Sequence, residues 1–358
     1  MSSHFLLRSF RLLLFPFALL YGGAVSIRNF LYDRHWLPSV SFGLPVICVG
    51  NLSVGGTGKS PMVEFLIERL QDRYRVATLS RGYKRRTRGY ALAGAETTAL
   101  EIGDEPLQFH RKFPGISVAV GEERMLAIPQ LLQDRPDTQV VILDDGFQHR
   151  SVRAGLNLLL TDHGNLFTRD FFLPTGDLRD QKKSYRRADI IVVTKCPPEL
   201  TADASRALIS EIRPKEGQQV LFTILEYGRP YHISQRTERT IDEGSEVLLV
   251  TGIAHPAPLK KMLEESTSFY KWLSFPDHHI FSPDDWQEIH TAFRALTGSD
   301  RFILTTEKDA VRLEKFMRPG EDLPLFVIPV RHRFLFGGDA ELERSVLSYI
   351  DTFNRPKP

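Results

Sequence analysis

The chain has 358 residues, enough for two domains of ordinary size. Hydrophobic and charged fractions of 42% and 25% are those of a folded soluble protein, which excludes a disordered or fibrous chain. A net charge of +2 gives no reason to expect nucleic acid as a partner. Two cysteines, Cys48 and Cys196, without metal-ligand spacing exclude a disulfide framework and fit a reduced cytoplasmic setting.

The N-terminus comes first. From Leu12 to Ile27 no residue is charged, while Arg8 and Arg11 precede the run and Arg28 and Arg34 follow it. The run is shorter than the ~20 residues that a spanning helix needs, and Pro16 and Gly22-Gly23 interrupt it. A signal peptide also opens with basic residues before an apolar core, but no clean A-x-A site follows. The pattern predicts a helix lying in a membrane interface, with arginines at the phosphate headgroups. A helix buried against the protein's own core is the competing reading.

Val46–Val49 reads as a strand, and Met62–Leu70 as part of a helix. Between them runs Ser53-Val54-Gly55-Gly56-Thr57-Gly58-Lys59-Ser60. Strand, glycine-rich turn, Lys-Ser and helix are the layout of a phosphate-binding P-loop. Backbone N–H groups of Gly55, Gly56, Thr57 and Gly58 would wrap a phosphate of ATP. Lys59 would reach the β/γ-phosphates, and the Ser60 hydroxyl would sit on Mg²⁺. Ser53 stands where the usual pattern has its first glycine. A chance glycine-rich turn is the alternative, and the flanking strand and helix argue against it. ATPases that form nucleotide sandwich dimers carry a lysine where this chain has Val54, which disfavours that class.

Apolar runs of strand length then recur at Val76–Leu79, Ser117–Val120, Val140–Leu143, Leu156–Leu160, Ile190–Val193 and Val220–Leu225. Later ones are Val247–Val250, Phe302–Leu304 and Leu325–Val330. Helical patterns alternate with them at Ser60–Leu70, Glu122–Leu132, Ala202–Glu211, Leu259–Glu264, Pro283–Leu296 and Ala340–Phe353. This alternation predicts an α/β fold with mostly parallel sheets and helices on both faces. The polar stretch Tyr227–Gly244 reads as a connection. The expected division is therefore an N-terminal membrane-associated helix over 1–35, a P-loop domain over 36–228, and a second, smaller α/β domain over 229–358.

Several polar clusters fall at the ends of these runs. Asp144-Asp145 follows four apolar residues, as the second Mg²⁺ ligand of P-loop proteins does, and Gln148-His149 follows closely. Asp104-Glu105 lies in a turn before a helix-like segment. It reads as a carboxylate base for an acceptor hydroxyl, or as an ordinary acidic helix cap. Asp277-His278-His279 offers adjacent histidines without a third metal ligand. Val193-Thr194-Lys195 and Thr305-Thr306-Glu307-Lys308-Asp309 are polar strand exits that lack the guanine-reading pattern. Two basic clusters, Arg81 to Arg88 and Lys182 to Arg187, read either as solvated faces or as surfaces for an anionic substrate or membrane.

Taken together these residues resemble the tetraacyldisaccharide 4'-kinase family of lipid A biosynthesis. The resemblance rests on the loop from Gly50 to Ser60, Leu79-Ser80-Arg81-Gly82-Tyr83, Gly103-Asp104-Glu105-Pro106 and Asp144 to His149. It continues through Leu173-Pro174-Thr175-Gly176-Asp177-Leu178-Arg179, Asp277-His278 and Thr306 to Asp309, and spans Arg28 to about Arg312. It implies transfer of the γ-phosphate of ATP to the 4'-hydroxyl of tetraacyldisaccharide 1-phosphate, giving lipid IVA, with ATP and Mg²⁺ as cofactors. It also implies a monomer at the cytoplasmic face of the inner membrane, with the site between two α/β domains. By motif, Asp104 is the expected base with His278 supporting it and Lys59 completing the catalytic set. Ser60, Asp144 and Asp145 are the expected metal ligands. Arg81, Glu105, Gln148 and His149 are expected on the substrate. The alternatives are a kinase for another lipid acceptor, or a membrane-associated P-loop NTPase of regulatory type.

Overall fold

The structure, a computed structural model, describes residues 11, 13–317 and 323–354. Arg8 and the last four residues of the expected second domain lie outside them. Helix α1 (Phe15–Asp33) leads to strand β1 (Val46–Asn51), the P-loop and helix α2 (Lys59–Leu70). Next come β2 (Val76–Ser80), β3 (Ala91–Leu92), the short α3 (Ala99–Ile102), α4 (Asp104–Lys112) and β4 (Ser117–Val120). They are followed by α5 (Arg124–Asp134), β5 (Val140–Asp144) and β6 (Leu156–Asp162). A long connection then reaches β7 (Ile190–Thr194), α6 (Ala202–Ile212) and β8 (Gln219–Tyr227).

β1 is central in this first sheet, with β5 on one side and β6 on the other. Pairing is parallel from β4 across to β8 and antiparallel at the two edges, where β3 joins β4 and a late strand, Val330–Phe334, joins β8. Strands buried on both faces read as largely apolar runs, as β1, β2 and β5 do, with Asn51, Ser80 and Asp144 at their ends. Successive residues of β1 serve opposite layers. Val46 and Cys48 join one core cluster, and Ile47 and Val49 the other. Burial pushes the Cys48 thiol up to about 12, so it packs as an inert residue.

The chain then builds a smaller lobe from β9 (Tyr231–His232), β10 (Glu246–Thr251), α7 (Ala257–Ser266), β11 (Phe269–Ser274) and α8 (Pro283–Arg294). It is completed by β12 (Arg301–Thr306), α9 (Glu307–Leu313) and β13 (Leu325–Ile328). Its sheet order is β11-β10-β12-β13-β9, parallel except for β9. The lobe does not run to the chain's end, as the expected boundaries had it. β14 (Val330–Phe334) returns to the first sheet beside β8, and α10 (Gly338–Asn354) packs Leu342, Val346 and Ile350 into the large lobe's core. The expected single strand Leu325–Val330 is thus two strands of different sheets, divided at Pro329. Proline lacks the N–H that would continue a ladder. Among the described residues the chain crosses between lobes at Gly228–Pro230 and at Pro329. The Gly228 N–H donates to the Pro329 carbonyl (2.9 Å). A Cβ on Gly228 would lie 2.9 Å from the Pro329 ring.

Pro16 and Gly22-Gly23 do not interrupt α1 either. Pro16 lies in the first turn, where its missing N–H costs nothing, and the helix runs through the glycines. Gly22 is needed there because a Cβ would meet the Phe172 ring at 2.8 Å.

Candidate active site

The phosphate half of the site grows out of β1. Buried Asn51 ends the strand; its Nδ2 donates to Thr57 Oγ1 (3.0 Å), and its Oδ1 accepts from Lys59 Nζ (3.5 Å). Gly55 and Gly58 have φ of +103° and +84°, the left-handed region that glycine tolerates. A Cβ at Gly55 or Gly56 would meet nothing within 4 Å, so that side of the loop faces open space. Behind it the carbonyls are tied back. Thr194 Oγ1 donates to Thr57 O (2.9 Å), and His332 Nε2 to Gly58 O (2.8 Å). His332 Nδ1 accepts from Thr223 Oγ1 (2.9 Å). Because a carbonyl can only accept, the His332 proton sits on Nε2. Burial pushes His332 down to about 4, so it is neutral at pH 7. With the carbonyls engaged, the N–H groups of Gly55, Gly56 and Gly58 and the N-terminus of α2 are left for an anion, while those of Val54 and Thr57 bond to the Asp177 and Gly55 carbonyls.

Beside the loop, β5 ends in Asp144 and Asp145. Asp144 is buried, and its Oδ2 accepts from Ser80 Oγ (3.4 Å). Its Oδ1 is buried with no hydrogen-bond partner. Burial, then Glu105 and Asp145, push this carboxyl up to about 7. Burial acts on Asp145 in the same direction, but Lys59 and Arg179 outweigh it and hold the group well below the usual range. Lys59 Nζ lies 3.6 Å from Asp145 Oδ1, and Arg179 donates to both Asp145 oxygens and to Asn51 Oδ1. An orphaned oxygen on a buried carboxyl crowded by Glu105 and Asp145 fits a hard cation such as Mg²⁺, which would favour its ionised form. Among the described residues no group of three or more His, Cys, Asp or Glu forms a metal centre. A cation here would take its remaining ligands from phosphate oxygens and water.

The other half is assembled across the lobes. Asp104 and Glu105 open α4 after Gly103, whose φ is +94°. Acidic groups are favoured there by the unpaired N–H groups of the first turn. Asp104 Oδ2 pairs with His278 Nδ1 (2.9 Å), and Arg312 Nε donates to Asp104 Oδ1 (2.8 Å). Burial raises the Asp104 carboxyl, but the hydrogen bonds from His278 and Arg312 win and hold it at about 2. Next to it, Glu105 accepts from Lys308 Nζ (2.6 Å) and from the Ser60 hydroxyl. Lys308 and Arg312 lie one turn apart on α9, so the small lobe meets the acid pair with two cations. The Tyr83 ring stands edge-on to His278 at 5.5 Å. A cavity of about 640 Å³ opens beside the pair, with Leu100, Leu107, Ile280 and Val311 among its walls.

The remaining expected residues are distributed unevenly. Gln148 is a brace: its Nε2 donates to the Asn51 carbonyl (2.6 Å), and its own carbonyl accepts from Arg28. His149 is pushed down to about 4 by burial, then by Arg124 and Arg81, so it is neutral. Arg81 itself is exposed. Of the paired histidines only His278 enters the site; His279 hydrogen-bonds Asp285 (2.8 Å). In the Thr306–Asp309 motif, Thr306 caps α9, and buried Asp309 accepts from the Gly252 N–H (3.0 Å). Sequence reasoning missed Arg312, His332 and the fully buried Arg124, whose Nη2 donates to the Asp144 carbonyl (3.4 Å). No motif marks any of the three. Arg179 and Lys308 were visible as members of quoted motifs but had no role.

Helix α1 lies against this site. Tyr21 donates to the Arg179 carbonyl (3.1 Å), and Asn29 Nδ2 to Asp180 Oδ1 (2.7 Å). Its opposite face exposes Phe17, Leu19, Leu20 and Ile27. One face of the helix is thus buried against the protein, and the other is apolar and exposed. Among the described residues no helix is long and apolar enough to cross a membrane.

The sequence model of one protein family, described as tetraacyldisaccharide-1-P 4'-kinase (LpxK), matches residues 10–351. The tetraacyldisaccharide 4'-kinase of Bacteroides thetaiotaomicron is 44% identical over 351 residues, covering 94% of this chain and 92% of the relative. That of Parabacteroides distasonis is 43% identical, covering 96% and 95%. Among solved structures, LpxK from Aquifex aeolicus in complex with ATP superposes with a TM-score of 0.74 at 29% identity, over 95% of this chain and 99% of that one.

Proposed function

The chain belongs to the tetraacyldisaccharide-1-P 4'-kinase family, and from that premise we propose that it transfers the γ-phosphate of ATP to the 4'-hydroxyl of tetraacyldisaccharide 1-phosphate, forming lipid IVA. One observation carries the reading. Consecutive acids join the two halves of the cleft: Glu105 contacts Ser60 of the P-loop, and Asp104 contacts His278 of the small lobe. An acceptor hydroxyl beside Asp104 is then within reach of a phosphate held by the P-loop.

In this reading the loop N–H groups and Lys59 bind and orient the phosphates, which excludes water from the side they cover. Ser60 and Asp144 are the proposed cation ligands, with Asp145 held beside them by Lys59 and Arg179. A bound Mg²⁺ neutralises the charge that develops on the transferred group. Asp104 is ionised at neutral pH and takes the acceptor's proton, while His278 orients it. Its pKa of about 2 makes it a weak base, which suits a largely dissociative transfer that asks little of a base. Arg81 and the neutral His149 are proposed on the acceptor side, by charge and position.

The apolar face of α1 supports docking on the cytoplasmic surface of the inner membrane, where a tetraacylated acceptor resides. The test is γ-labelled ATP with Mg²⁺ in detergent, with and without tetraacyldisaccharide 1-phosphate. Label reaching the lipid only when acceptor and Mg²⁺ are both present is the expected result. Free phosphate released regardless of the lipid would favour a regulatory NTPase.

A further inference from the structure

A second ionic cluster is buried close to the crossing at Pro329. Lys112 Nζ donates to Glu64 Oε2 (2.6 Å) and to Glu307 Oε1 (2.7 Å). Gln108 Nε2 donates to the other Glu64 oxygen (2.7 Å), and the Val330 N–H to Glu307 Oε2 (3.4 Å). Glu64 and Glu307 are only 3% and 7% exposed. Two carboxyl groups share one ammonium, so a proton kept on one of them balances the cluster's charge. Burial, then Glu307, push Glu64 up to about 8. A buried ion cluster is weak evidence for stability, since apolar side chains of like volume often do as well; its best attested use is fixing register.

The register at stake is that of three helices. Glu64 lies on α2, which begins with Lys59 and Ser60. Lys112 ends α4, which begins with Asp104 and Glu105. Glu307 begins α9, which carries Lys308 and Arg312. Lys112 touches both of the others, and its bond to Glu307 crosses between the lobes. We infer that Lys112 is a positioning residue for phosphoryl transfer: by bridging Glu64 and Glu307 it holds α9, with Lys308 and Arg312, in register with the P-loop helix and Asp104. This rests on the kinase reading above.

The experiment compares acceptor-dependent transfer by the wild type, Lys112→Met, Lys112→Arg and the triple variant Glu64→Gln/Lys112→Met/Glu307→Gln, each at a temperature where circular dichroism shows it folded. Lys112→Met should lose about tenfold or more in kcat, with KM for ATP within about twofold. Lys112→Arg should restore part of the loss. The triple variant, which leaves no buried charge unpaired, should regain thermal stability but not kcat. Near-normal kcat in Lys112→Met, or kcat returning with stability in the triple variant, would overturn the inference. If Lys112→Met does not fold, the triple variant decides alone. A wild type that transfers nothing to the lipid would instead defeat the kinase reading.

Discussion

The phosphate half of the cleft is one stretch of chain, Asn51 to Ser60, held from behind by Thr194 and His332. The other half, with the proposed base, joins Asp104 to His278 and Arg312, which lie 174 and 208 positions away along the chain. The first half depends on backbone conformation within the large lobe. The second depends on where the small lobe sits. Damage to the first should therefore reach ATP binding, whereas damage to the second should spare it and fall on turnover.

The largest effect is expected at Lys59. Lys59→Ala should lower turnover by about 10³-fold and weaken ATP binding as well, because Lys59 neutralises charge in both ground and transition states. Equilibrium ATP binding and label transfer report the two separately. Arg312→Gln should cost about 10- to 100-fold in turnover through lost orientation of Asp104, with ATP affinity kept. A matching loss of ATP affinity would erase the contrast between the halves.

His332→Leu probes the brace behind the loop. It leaves the Thr223 hydroxyl without a partner and the Gly58 carbonyl with the Met62 N–H alone (3.2 Å), at roughly 1–3 kcal/mol in all. It also changes the pH dependence. The unfolded chain binds a proton on this histidine near pH 6.5, while folded His332 refuses it until about 4. Stability should therefore fall as pH drops from 6.5 to 4, by up to about 3 kcal/mol from this group. His332→Leu should flatten that part of the curve in urea titrations at stepped pH. The smallest effect on turnover is expected from Phe17→Ser/Leu20→Ser on α1. Binding to anionic vesicles should weaken by about 1.5–3 kcal/mol per side chain, while transfer in detergent stays within about twofold.

The same contrast sets what the sequence disclosed. The P-loop, Asp144 and most strands follow from local composition, because a glycine-rich turn and a doubly buried strand each need particular residues in immediate succession. Asp104 and His278 were found through their motifs, yet nothing in either segment says that they touch. Arg312 and His332 were not found at all. Each acts through a contact that exists only after the chain has crossed between lobes, and an arginine in a helix or a histidine in an edge strand carries no local mark of it. The end of the small lobe was misplaced for a related reason. Leu325 to Val330 reads as one apolar run, and only the sheet ladders reveal that Pro329 divides it between two sheets. Gln148 was expected on the substrate but braces the end of β1, a backbone contact that composition does not announce.

The division of labour is tested most directly by Asp104→Ala, with equilibrium ATP binding and acceptor-dependent label transfer measured on the same preparation. Binding within about twofold of the wild type, with transfer reduced by about 10²-fold or more, is the predicted result. Near-normal transfer would contradict it.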